Sequence, residues 1–126
     1  MTVSFFSEVA HHPTSLWISI DPRSYTYELI EQSGAFSLVL LHEKQTKPAR
    51  MCGTVSGRDI DKFSLLKAHR SGDFWYLDDL YASAACRVRS RHQVGDHVMF
   101  IADILEGEVE TRNSNRRPLL TRDLAT

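Results

Sequence analysis

Gly95-Asp96-His97-Val98-Met99-Phe100-Ile101-Ala102-Asp103-Ile104 decides the class of fold. Gly95 punctuates a turn. Beyond it Val98, Phe100, Ala102 and Ile104 point one way, while His97, Met99, Ile101 and Asp103 point the other. A period of two with one purely apolar side is a strand that covers a core. Working outward, Phe74 to Arg91 has strand character, and Phe36 to Leu41 is apolar almost throughout, which predicts a strand buried on both faces. Leu16 to Ile20 predicts a short buried strand, ended by the turn pair Asp21-Pro22. Between these, Ser24 to Ser33 predicts a helix, with hydroxyls at its start and Gly34 just past its end. His42 to Arg50 is polar and partly helical, interrupted by Pro48, and a further short helix runs through Leu65 and Leu66. The tail from Thr111 to Thr126 is polar and basic. Several strands with only short helical insertions argue for a β-rich barrel or sandwich. There is no internal repeat and no interdomain linker, so residues 1–126 read as one domain.

Composition narrows the function classes. The chain has 126 residues, enough to bury a real core. Fifteen lysines and arginines against sixteen aspartates and glutamates leave a net charge of −1, so no global field draws the chain to nucleic acid or an anionic membrane. Arg87, Arg89 and Arg91 alternate, so on a regular strand they share one face, read here as a solvated one. A nucleic-acid barrel would need aromatic platforms on that face, and Cys86, Val88 and Ser90 supply none. Two cysteines, Cys52 and Cys86, make no disulfide framework and no C-x-x-C pair. Free thiols, the lack of any Lys or Arg before Arg23 and the short apolar runs place the chain in the cytoplasm, without signal or membrane span. No histidine spacing or carboxylate cluster points to a metal, and there is no nucleophile elbow. His11 and His12 would point oppositely on a strand, and His42, His69 and His92 read as loop or surface residues.

The chemistry-bearing stretch is Cys52-Gly53-Thr54-Val55-Ser56-Gly57-Arg58-Asp59-Ile60-Asp61-Lys62-Phe63. Gly57 lets backbone approach a ligand closely. A helical turn starting near Ser56 or Asp59 would present free N–H groups to an anion. Arg58 and Lys62, at i and i+4, would share a face of that turn. Amides, hydroxyls and two cations on one spot suit a phosphate. A capped surface helix, with Ser56-x-x-Asp59 as the capping box, explains the same residues equally well from spacing alone. Cys52 reads as a small buried thiol beside this loop.

This string resembles a segment of the flavin reductase-like family, the FMN-binding split barrels. Three more segments match in the family's order. Met1-Thr2-Val3-Ser4 resembles the end of its N-x-M-T-x-S strand. Arg23 to Ile30 with Ser33-Gly34-Ala35-Phe36 resembles its S-x-T…I…SG-x-F stretch, and Val94 to Ile101 its GDH strand. Together they cover most of residues 1–105. The resemblance implies a mainly β fold, an antiparallel Greek-key split barrel with short helical insertions, that usually forms homodimers. Relative to the family the domain is N-terminally short, with Met1 standing at the motif's methionine.

What the resemblance implies about the site follows by matching position. Thr2 and Ser4 would lie along the ring and phosphate edge of FMN. Ser24, Tyr25 and Thr26 would sit at a helix start near the phosphate or ribityl chain, although Thr26 is also explained as a plain N-cap. Ser56, Gly57, Arg58 and Lys62 would complete the phosphate cradle. His97 would stand at the reacting centre, near the flavin and the incoming nicotinamide; its alternative is a strand-start histidine bonded to Asp96. The implied activity is hydride transfer from NAD(P)H to FMN, with FAD or an exchangeable flavin as variants. The reduced flavin would serve a partner monooxygenase or another electron acceptor. The competing reading on the same fold is a non-catalytic FMN-binding or dimerisation module.

Overall fold

The computed structural model describes residues 1–3, 5–54, 66–109 and 118–119, with the side chain of Thr54 excepted. Seven strands and two helices lie in these segments: β1 (Phe5–His11), β2 (Thr14–Ile20), α1 (Tyr25–Ser33), β3 (Ala35–Leu40), α2 (Thr46–Thr54), β4 (Ala68–Ser71), β5 (Phe74–Leu77), β6 (Ala82–Val94) and β7 (His97–Val109). Five strands form an antiparallel sheet in the order β1-β2-β7-β6-β3, and β4 and β5 form a separate hairpin. β2 therefore lies beside β7 rather than beside β3, which is the Greek-key pattern.

The core follows the alternation in β7. Val98, Phe100 and Ala102 are buried, and they stand opposite Ile20, Ile18 and Leu16 of β2, which are buried with them. Cys86 and Ile30 complete that cluster. Helix α1 reaches it because both of its ends are specified. Ser24 is the N-cap, its hydroxyl accepting from the Tyr27 N–H at 3.2 Å and donating to the Asp21 carbonyl at 2.8 Å. Gly34 ends the helix with φ of 69°, a left-handed conformation that costs glycine little, and its N–H bonds the Ile30 carbonyl.

Five expectations need correction. β3 is not buried on both faces: all six of its residues are half-exposed, and among the described residues it pairs only with β6 and stands at the sheet's edge. Phe74 to Arg91 is two strands, broken between Leu77 and Ala82, and the second begins a hairpin with β7. Pro48 does not interrupt α2; it sits in the first turn, where no N–H partner is needed. Met1 to Val3 is not strand; the edge strand β1 begins at Phe5, and its seven exposed residues carried no alternation to find. The three arginines do not share a face. The β6–β7 register slips between Val88 and Ser90, a bulge that places Arg87 opposite Asp103 but Arg91 opposite the buried Phe100. Arg91 accordingly pairs with Glu31 of α1 at 2.7 Å and bonds the Tyr27 hydroxyl, while Arg89 pairs with Asp103 at 2.8 Å.

Candidate functional site

An open cleft of about 1330 Å³ wraps the edge of β3 that faces away from β6. Successive residues of a strand face opposite ways, and both sets line it: Phe36, Leu38 and Leu40 from one face, Ala35, Ser37 and Val39 from the other. The first face is the core side, since Phe36 and Leu38 pack on the buried cluster and Ile18, Ile20 and Ile30 are at the cleft's floor. Tyr25, Thr26 and Leu29 of α1, Phe6 of β1 and the N-terminal Thr2 and Val3 also line the cleft, as do Ala49 and Cys52 of α2. The hairpin supplies Phe74, Trp75, Tyr76 and Leu77.

The N-terminal segment is tied down onto α2. The Thr2 hydroxyl donates to the Ala49 carbonyl at 2.6 Å, and the Thr2 N–H to the Cys52 carbonyl at 3.3 Å. The Thr2 side chain also lies against Gly53, where a Cβ would come within 3.4 Å of its hydroxyl. Two stretches fifty residues apart in sequence thus meet where the phosphate-loop string begins. Since the Thr2 proton is committed to Ala49, its hydroxyl can offer a ligand only a lone pair. It can accept from a ring N–H but cannot donate to a phosphate.

Of the other residues singled out from sequence, Tyr25 and Thr26 line the cleft, whereas Ser24 does not. Ser24 is spent on capping α1, so the cap is Ser24 rather than Thr26, and the Thr26 hydroxyl is released from that role. Ser4, Ser56, Gly57, Arg58 and Lys62, and the helix through Leu65, lie outside the described residues. His97 is not among the cleft-lining residues. Its Nδ1 lies 2.9 Å from the Asp96 carboxylate, and its ring meets Phe5 edge-on at 5.8 Å. That bond to His97 holds the Asp96 carboxyl below its usual range. Nearby, the Arg23 guanidinium grips Asp21 and lowers its pKa to about 2.

Cys52 is half-buried at the cleft wall rather than fully buried, and the inert thiol is Cys86, which burial pushes up to about 12. His42 is the largest departure from the sequence reading. It is 3% exposed, not a surface residue. Its Nδ1 accepts from the Lys44 N–H at 3.2 Å, so Nε2 carries the proton and donates to Asp79 at 2.7 Å. Gln45 closes the network, accepting from the His42 N–H and donating to the Asp79 carbonyl at 2.8 Å. This pins the entry of α2, and with it the Thr2 anchor, to the β5–β6 connection. Arg87 was read as a solvated strand residue, yet it lines the cleft, and among the described residues it is the one basic side chain that does. Its signal was visible only as one arginine of an alternating three. Among the described residues no cluster of His, Cys, Asp or Glu could hold a metal, and no helix is long and apolar enough to cross a membrane.

A cavity with an apolar floor, edge hydroxyls and an aromatic wall suits a planar, partly polar ligand. Comparison with known proteins agrees. The family described as "Flavin reductase like domain" matches residues 1–123. A flavin reductase of Pseudomonas putida is 28% identical over 116 residues, covering 90% of this chain and 66% of that protein. The reductase component of the FADH(2)-dependent resorcinol hydroxylase of a Rhizobium species is 27% identical over 121 residues, covering 95% of this chain and 65% of the relative. The chain thus spans slightly less than two thirds of the length of these relatives. Among solved structures, the FMN-binding protein of Thermus thermophilus with bound p-hydroxybenzaldehyde superposes with a TM-score of 0.82 at 23% identity, over 90% of this chain and 65% of that one. The fold is the FMN-binding split barrel.

Proposed function

The chain belongs to the flavin reductase like family, and from that premise we propose that it binds FMN in the cleft at the edge of β3 and passes a hydride from NAD(P)H to that flavin. The observation that carries this reading is the convergence of Thr2, Tyr25 and Thr26 on one cleft whose lining includes Cys52, the first residue of the phosphate-loop string, with Thr2 lying against the next residue, Gly53. The residues present fit the group. Ile18, Ile20, Ile30 and Phe36 offer an apolar floor. Tyr25 and Thr26 offer hydroxyls, and Ser56, Gly57, Arg58 and Lys62 are assigned to the phosphate. Flavin, when bound, supplies two-electron redox chemistry; the protein's task is to bind, orient and limit water access. FAD or an exchangeable flavin remains a variant of the same reading, with a partner monooxygenase or other acceptor downstream.

A homodimer is part of this proposal. The exposed Phe5 and the half-exposed Trp17, Met99 and Ile101 form an apolar set on the sheet face away from the core, which a second copy would cover. The non-catalytic FMN-binding module is kept as the second reading because His97 lies off the cleft. Turnover separates the two. Steady-state NADH or NADPH oxidation stimulated by FMN supports the reductase, and FMN binding without turnover supports the module. Arg58→Ala or Lys62→Ala should weaken FMN by about 1.5–3 kcal/mol, the worth of a charge-assisted hydrogen bond. Unchanged affinity in both variants would remove the phosphate cradle from these residues.

A further inference from the structure

A second, smaller cavity of about 250 Å³ shares only Tyr76 with the cleft. The β4–β5 hairpin lines one side of it, and the start of β6 with the end of β7 the other. Ala84 packs on the core cluster, so its neighbours Ser83 and Ala85 face the opposite way. In the β6–β7 register Ser83 stands opposite Glu108 and Ala85 opposite Glu106. Both carboxylates therefore lie on that outer face, about 7 Å apart along the strand. Ser37, opposite Ala85 in β3, shares the face, and its hydroxyl donates to the Trp75 carbonyl, which holds the hairpin there. Ser83 is 8% exposed and lines the cavity, and its hydroxyl has no hydrogen-bond partner among the described residues. A buried hydroxyl left unpaired is costly and uncommon. Glu106 and Glu108 likewise have no ion pair among the described residues, and no lysine or arginine lines the cavity. Arg70 of the hairpin is turned to Asp73 and to the Gly72 carbonyl, and the His69 Nδ1 lies 2.8 Å from Asp78. Burial first, then the charge of Glu106 and a hydrogen bond to it, raise the Tyr76 phenol above its usual range. Tyr76 therefore stays protonated, donates to Glu106 and supplies no positive charge.

We propose that this cavity binds a primary ammonium group on a short aliphatic chain, with the cation between Glu106 and Glu108 and one N–H on the Ser83 hydroxyl. An ammonium has three N–H donors and no acceptor, and here it meets three acceptors with spare lone pairs, two carboxylates and one hydroxyl. Leu80 and the Tyr76 ring offer apolar surface to the methylenes. The volume falls below the roughly 300–1,000 Å³ of a drug-sized site, which excludes a flavin or a nucleotide and suits a ligand of a few heavy atoms. Two sources share this chemistry: a free alkylamine, and a lysine side chain of a partner protein. The site stands whether or not flavin occupies the larger cleft.

The test is calorimetric titration of the full chain at low ionic strength, where exposed carboxylates are least screened. The probes are n-butylammonium, neutral butanol as the uncharged control, and acetyl-lysine methylamide for the side-chain source. Saturable binding of n-butylammonium or of the lysine derivative is expected, with butanol weaker by about tenfold or more. Glu106→Gln and Glu108→Gln should each weaken the ammonium probe by about three- to tenfold. Ser83→Ala should weaken it by about two- to twelvefold, and the double glutamine variant should bind it no better than butanol. Glu108→Gln, at an exposed position, keeps the test decisive if Glu106→Gln, which also alters the Tyr76 bond, fails to fold. Binding of n-butylammonium alone assigns the site to free amines, and binding of the lysine derivative alone to a partner's lysine; binding of both supports the shared chemistry. If neither binds, if butanol binds as tightly, or if the glutamine variants bind the probe as well as the parent, the site does not exist. Unchanged binding in Ser83→Ala would overturn the three-donor geometry.

Discussion

Thr2→Val separates positioning from contact in the candidate flavin site. Valine keeps the shape of threonine but removes the hydroxyl that donates to the Ala49 carbonyl at 2.6 Å. The backbone bond from the Thr2 N–H to Cys52 at 3.3 Å survives, and Ala49 lies inside α2, whose carbonyls have a second lone pair in the helix ladder. No buried group is fully orphaned, so the cost is that of one neutral hydrogen bond, about 0.5–1.5 kcal/mol. For a domain of this size that lowers Tm by about 2–8 °C. The same bond holds the N-terminal segment against the start of the loop assigned to phosphate. FMN should then weaken by at most the same free energy, about two- to twelvefold, because Thr2 acts through position. Urea unfolding with and without FMN, and a fluorescence titration of FMN, measure both quantities. A loss of affinity approaching about a hundredfold would mean that Thr2 contacts the ligand directly. No change in stability would mean that the Ala49 bond contributes nothing, and the positioning argument would fail with it.

Asp79→Ala should destabilise the fold by about 1.5–3 kcal/mol, towards the lower end because the carboxylate is half-exposed, since it leaves the buried His42 N–H without its charged acceptor; an unchanged urea midpoint would refute that network. The Cys86 thiol is raised from 9.0 to about 12 by burial, so above pH 9 the unfolded chain loses a proton that the folded chain keeps. The stability it confers is complete below pH 9 and is lost between about 9 and 12, at up to about 1.4 kcal/mol per pH unit. Urea midpoints from pH 7 to about 10.5 should therefore fall more steeply in the parent than in Cys86→Ala, and parallel slopes would contradict the burial argument. His97→Ala should leave the FMN dissociation constant within about twofold, because the ring lies off the cleft; a tenfold or larger rise by fluorescence titration would place His97 at the ligand after all.

The parts of the fold legible in the sequence are those where local chemistry and burial agree. The apolar side of β7 is the core, and α1 runs between the hydroxyls and the glycine that end it, because periodicity and capping each act over a few residues. β3 misled because an apolar run reports hydrophobic side chains and not what covers them; at a sheet edge that surface lines a cleft instead. The arginines misled for a related reason. Alternation predicts a face only while the register holds, and a single bulge after Val88 sends Arg91 to α1 while Arg87 stays at the cleft. His42 and Asp79 are thirty-seven residues apart, so no local pattern could announce their bond. The family motifs overcame part of this limit, since they draw Thr2 and Tyr25 to one site across long separations. They did not distinguish ligand contact from scaffolding: Ser24 matches the motif and is consumed as a cap, and Thr2 matches it and spends its proton on Ala49. A hydroxyl in a motif can donate to a ligand only if its proton is free, and that depends on the packed structure.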